Sequence, residues 1–302
     1  MLKKYNDFLT EGRGISDLIK QYSVIILDYL KENEYKQILE FNYSQLPLID
    51  LRVNFNISND YHGLFDPSFS YLKDNKLYNI VINIEIPEKY DDIKILGILS
   101  HELTHVKEFY EIDLKNLTLK VKIHPIHIDI KQINKEFIKQ YSTFDNFYDL
   151  IYLSVDDEMN ARIAQLYHYL YEFKNKDKDF LFEKVKEHKN WEYVEMLKNF
   201  DSVKFIEYNI NKISRLGLEK ITIDLIEKFK DKNLNKRSKM LTFIDKNLSI
   251  EDFYNEWKNY FNKKADQHIE RIKYQIKEVI EDLNGNKPFN ELYRANLDDP
   301  KI

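Results

Sequence analysis

Leu77-Tyr78-Asn79-Ile80-Val81-Ile82-Asn83-Ile84-Glu85-Ile86-Pro87, followed by Ile95-Leu96-Gly97-Ile98-Leu99-Ser100-His101-Glu102-Leu103-Thr104-His105-Val106, changes its hydrophobic period within one short stretch. In the first segment Ile80, Ile82, Ile84 and Ile86 alternate with Asn79, Val81, Asn83 and Glu85 until Pro87. A period of two places the isoleucines on one face of a strand, and proline ends it. From Lys89 to about Tyr110 the apolar residues Leu96, Leu99, Leu103, Val106 and Tyr110 recur three and four apart. That spacing predicts a helix with one buried face.

Upstream, Ser16 is placed to cap a helix carrying Leu18, Ile19, Tyr22, Ile25, Ile26 and Tyr29 and running to about Glu32. Leu51, Val53, Phe55 and Ile57 then alternate, and Phe69–Lys73 and Leu77–Ile86 form two extended runs joined through Asp74-Asn75-Lys76. A small sheet containing a hairpin is expected. Downstream, helical spacing returns near 129–140, 154–174, 178–187, 202–214, 218–230 and 249–283, with an extended piece at Leu117–Ile123 and a bend at Pro125. The fold class expected is α+β, a small sheet on the helix that carries His101 and His105, followed by a mostly helical C-terminal half. Residues 1–14 are expected as a separate short segment, 15–200 as the domain carrying His101 and His105 and 201–302 as a helical extension, although no linker marks the boundary near 200. Along Ser249–Leu283 the aromatic stripe Phe253, Tyr254, Trp257, Tyr260 and Phe261 suits a core or a partner helix better than a ligand box.

The 302 residues are 43% hydrophobic and 32% charged with a net charge of -5, which disfavours nucleic acid as the main partner. The basic cluster Lys232–Lys239 lacks interleaved aromatics and reads as solvated surface. Absence of cysteine excludes disulfides, thiolate ligands and a cysteine nucleophile, and fits a reducing compartment. No apolar run approaches the roughly 20 residues of a membrane span. Residues 1–11 lack the apolar core and cleavage site of a secretory signal, so the expected location is the cytoplasm, with no membrane partner.

His101-Glu102-Leu103-Thr104-His105 places two imidazoles four residues apart on one helical face, the spacing of two ligands to one zinc ion. Glu102 lies about 100° around the helix from His101, within reach of a water at the metal without ligating it. Zinc lowers the pKa of such a water towards about 7, and a carboxylate then takes its proton as it attacks a polarised carbonyl. With eight histidines in the chain, the pattern would arise by chance in only about 2% of sequences of this composition.

The motif, with a strand before it, resembles the zincin class of zinc metallopeptidases. This resemblance implies a twisted sheet whose edge strand binds extended peptide, peptide or protein substrates, Zn2+ as cofactor, and Glu102 as catalytic base. Leu77–Ile86 is the candidate edge strand, an interior position being equally compatible with its pattern. Metzincins are excluded, since Glu108 and Glu111 stand where they carry glycine and a third histidine.

A gluzincin-like third ligand, a Glu on a later helix, falls on Glu158 in Ser154-Val155-Asp156-Asp157-Glu158-Met159-Asn160-Ala161-Arg162. Ser154 and Asp157 read as capping residues there, and Met159, Ile163, Leu166 and Leu170 as the buried stripe. A bland alternative makes Glu158 a first-turn acid serving the helix dipole, and Glu108 is the second candidate ligand. Arg162 departs from the family, in which an Asp at that position supports the first histidine, so the support must come from elsewhere, with Asp156 or Asp157 as candidates. Candidates for an oxyanion donor are His127, Tyr152, Arg162, Tyr167 and His168. His62, His188 and His268 read as ordinary surface histidines, and His124 with His127 as an unremarkable pair beside Pro125.

Lys3-Lys4-Tyr5-Asn6-Asp7-Phe8-Leu9-Thr10-Glu11 resembles the cleavable capsid-targeting leader of tailed-bacteriophage internal head proteins, with Leu9-Thr10-Glu11 at the cleavage pattern. A virion, or the host cytoplasm, follows from that resemblance. The competing reading is a short amphipathic helix. An alternative function is a structural or interaction protein, with a virion or helical protein partner and a vestigial or structural metal site.

Overall fold

Alternation in the quoted stretch becomes a strand at the middle of a mixed sheet. The computed structural model describes residues 19–33, 37–42, 46, 49–67, 70–74, 76–113, 118–121, 130, 133, 135–136, 141, 144–173, 175–231, 243–244 and 248–284. The leader residues 1–14, Ser16, Phe69, His124, Pro125, His127 and the Lys232–Lys239 cluster lie outside them.

Strands β1 (Ile38–Phe41), β2 (Ile49–Ile57), β3 (His62–Asp66), β4 (Tyr71–Lys73) and β5 (Lys76–Ile86) form one sheet in the order β1-β2-β5-β3, with β4 also on β5. Parallel β2 and β5 pair from Leu51 against Ile80 to Ile57 against Ile86, while β3 is antiparallel to β5, from His62 against Glu85 to Asp66 against Val81. The expected hairpin is β4–β5, closing at Lys73 against Lys76 with Asp74 at φ 50° in its turn. All four predicted isoleucines of β5 are buried. The strand is interior, however, and β1 and β3 are the outer strands of that order among the described residues, which corrects the assignment of Leu77–Ile86 as the edge strand. Its alternating side chains give no sign of which neighbours pair with it, because pairing runs through backbone groups that every residue carries.

Helix α1 covers 19–32 and α2 is Asp92–Phe109. Tyr22, Ile26 and Leu30 of α1 and Ile95, Leu99, Leu103 and Val106 of α2 share one apolar core with the inward residues of β2 and β5. After α2, a two-stranded ribbon pairs β6 (Tyr110–Asp113) with β7 (Thr118–Val121). Helices α3 (Asp145–Leu153), α4 (Asp156–Tyr171), α5 (Lys178–Lys186), α6 (Lys189–Lys198), α7 (Ser202–Asp231) and α8 (Ile250–Asn284) complete the α+β fold. Ser214, at φ 71°, interrupts α7 between the two expected helical segments. Ser154 does not cap α4, because it closes α3 and its hydroxyl donates to the Ile151 carbonyl at 2.7 Å.

The chain divides into two compact units. One joins the described residues up to Ile123 with Asn160–Val185 and the chain from Lys273 onward; the other is His124–Met159 with Lys186–Ile272. The second unit is built on aromatic packing around Trp257, which is fully buried and has Phe147, Phe243 and Phe261 at ring-centroid distances of 5.5, 5.3 and 5.3 Å. The aromatic stripe of α8 is therefore core. Among the described residues no helix is long and apolar enough to cross a membrane.

Candidate metal centre

Four-residue spacing on α2 turns both imidazoles the same way, and their Nε2 atoms stand 3.2 Å apart. Two nitrogens bound at 2.0–2.1 Å to a tetrahedral zinc would be separated by about 3.3 Å, so this pair already has the separation the ion requires. A carboxylate oxygen of Glu158 joins them, and the three ligand atoms lie within 4.8 Å of one another. Glu158 and His105 are buried and His101 is half-buried. Two histidines and a carboxylate match the donor set of a catalytic zinc site.

Glu158 sits in the first turn of α4, whose later turns, from Asn160, belong to the unit that holds the sheet and α2. Three contacts fix those turns on α2. At Gly97 a Cβ would stand 3.1 Å from Gln165 Cγ, so the missing side chain admits Gln165. Ser100 Oγ and His168 Nε2 are hydrogen-bonded at 2.7 Å, and Asn160 Nδ2 donates to Glu108 Oε1 at 2.9 Å. The early part of α2 meets the late part of α4, so the helices run in opposite senses.

Glu108 turns its other oxygen to His105 Nδ1 at 3.6 Å. At that distance the contact is electrostatic; a carboxylate beside Nδ1 favours the tautomer that leaves the Nε2 lone pair for a metal. The chain Asn160, Glu108, His105 thus places a carboxylate beside the second histidine, whereas the support expected from the position of Arg162 goes to the first, His101. Asp156 has a different role from the orienting one expected: it accepts from Lys264 Nζ at 3.0 Å and Arg271 Nη2 at 2.7 Å. Burial alone would raise the Asp156 carboxyl, but Lys264 and Arg271 outweigh it and hold the group below the usual carboxylate range.

Glu102 is 5% exposed, and its Oε2 accepts a hydrogen bond from the Phe65 amide at 2.7 Å. Two oxyanion candidates are too enclosed to face a substrate. Tyr167 is buried with Lys20 Nζ 3.6 Å above its ring, and His168 is buried against Ser100. Tyr152 and Arg162 are half-buried. His62 is exposed as expected, whereas His268 is buried, a correction whose cause is its place on the inner face of α8. His188 is a helix cap, its Nδ1 accepting from the Asn190 amide at 3.2 Å. Sequence reasoning missed Glu108 as a histidine partner and Asn160 entirely; the three-residue spacing of His105 and Glu108 was the one available signal.

His168 carries a stability consequence. Burial, with Lys20 adding to it, lowers its pKa from 6.5 to about 3. The folded protein keeps the ring neutral while the unfolded chain takes up a proton below 6.5, so stability is full above that value and falls on acidification towards pH 3. Between pH 6.5 and 5 this group should remove about 2 kcal/mol. Urea unfolding of wild type and His168→Gln across that range should show the steeper loss in wild type; parallel slopes would mean that His168 protonates in the folded state.

Compared with known proteins, the chain matches no family model, no curated protein and no solved structure.

Proposed function

We propose that the chain is a zinc-dependent metallopeptidase of zincin type, gluzincin-like in taking its third ligand from a Glu on a later helix. The convergence of His101, His105 and Glu158 within 4.8 Å carries the reading. Bound there, zinc would polarise a scissile carbonyl and acidify the attacking water. His101, His105 and Glu158 would hold the ion, and the Glu108 carboxylate, 3.6 Å from His105 Nδ1, favours the tautomer that leaves Nε2 free to bind. Glu102 takes the proton from the water and passes it to the departing amine, so the peptide bond gains the elements of water across it. An extended substrate fits along β3, whose outer side pairs with no strand among the described residues. The compartment proposed is a cytoplasm, or a virion on the strength of the leader resemblance.

Elemental analysis of wild type beside His105→Ala and Glu158→Ala tests the site. The expected result is about one zinc per wild-type chain, reduced in both variants. A folded, metal-supplemented wild type without zinc would overturn the proposal in favour of the structural or interaction protein.

A further inference from the structure

The Glu102 carboxylate lies against β3, and two features of that strand are shaped to it. Phe65 donates its amide to Oε2 at 2.7 Å. Two residues earlier, on the same side of the strand, stands Gly63. A Cβ there would lie 2.6 Å from Glu102 Oε1, 2.9 Å from Glu102 Cγ and 2.6 Å from Ile98 Cγ2. The described glycines have no positive φ, so Gly63 answers no backbone demand; what its position requires is space. The carboxylate is nearly enclosed, and burying a charged group without donors is costly, so the Phe65 amide also stabilises it there.

We propose that Gly63 and the Phe65 amide form a seat that positions the Glu102 carboxylate, with Gly63 a positioning residue whose missing side chain makes the room. The inference rests on reading Glu102 as the general base, but the seat itself is measurable without turnover. Gly63→Ala pushes the carboxylate off its amide donor and leaves His101, His105 and Glu158 untouched. The expected result is zinc retained at the wild-type level and kcat lowered about 100-fold with KM little changed, since misplacing a reacting group by about 1 Å costs that much.

Because Ile98 meets the same Cβ, the double variant Gly63→Ala/Ile98→Ala separates the causes. It removes the Ile98 clash and should still leave kcat low. Recovery of kcat would place the effect in Ile98 packing and overturn the proposal, as would a wild-type kcat in Gly63→Ala. Amide hydrogen exchange gives the readout independent of activity. In Glu102→Ala the Phe65 amide should exchange about tenfold faster or more, with the other β3 amides unchanged, because it loses a charged acceptor. Unchanged exchange at Phe65 overturns the seat. Faster exchange in a protein that cleaves no peptide upholds it and rejects the peptidase reading alone.

Discussion

Glu102→Gln is expected to keep its zinc and to hydrolyse peptides about 10²–10⁴-fold more slowly than wild type, the range that loss of a general base produces. Glutamine is close to isosteric, and its amide oxygen can still accept from the Phe65 amide that now holds Oε2 at 2.7 Å. Position is conserved and only the proton acceptor is lost. The measurement is kcat/KM on the peptide that wild type cleaves fastest in a quenched-fluorescent library, with zinc content measured on the same samples. Turnover within a few fold of wild type at equal zinc content would show that another group takes the proton.

Trp257→Ala should destabilise the protein by about 3–5 kcal/mol, the range for removing a large aromatic from a core. Trp257 is fully buried, with Phe147, Phe229, Phe243, Tyr260 and Phe261 around it at 5.3 to 5.9 Å. Collapse into the space would require several rings to move together, and interiors packed to this density relax only in part. Trp257→Phe, which keeps an aromatic face, should lose markedly less. Urea denaturation compares the three; a loss below about 1 kcal/mol for the alanine variant would mean that the cluster repacks freely.

Gly63 and Trp257 are opposite cases of a residue identity explained by its surroundings. One is glycine because α2 passes too close for a side chain, the other is tryptophan because several elements must meet over a wide gap. Neither reason is visible locally. The same holds for the elements that escaped sequence reading. Helix α3 begins after Phe144, which makes no side-chain cap, and α6 is capped by a histidine ring, so neither carries the usual start signal. Strand β3 has five residues, one of them glycine, too few to display a period.

Local periodicity by itself determined the central strand, the hairpin, the helix that follows and the common face of His101 and His105, because each depends on the geometry of a single continuous segment. The place of Glu102 on the same helix beside them was legible for the same reason. Tertiary structure alone decided that β5 is interior with β3 outside it, and that Glu108 lies between His105 and Asn160. It also decided that Asp156 pairs with Lys264 and Arg271, more than a hundred residues away. Glu158 stands between the two cases: its residue type and place on a helix were legible, but its approach to the histidines depends on Gln165 entering the space at Gly97 and on His168 bonding Ser100. Such contacts join segments that share no local geometry, and only the folded chain brings them within bonding distance.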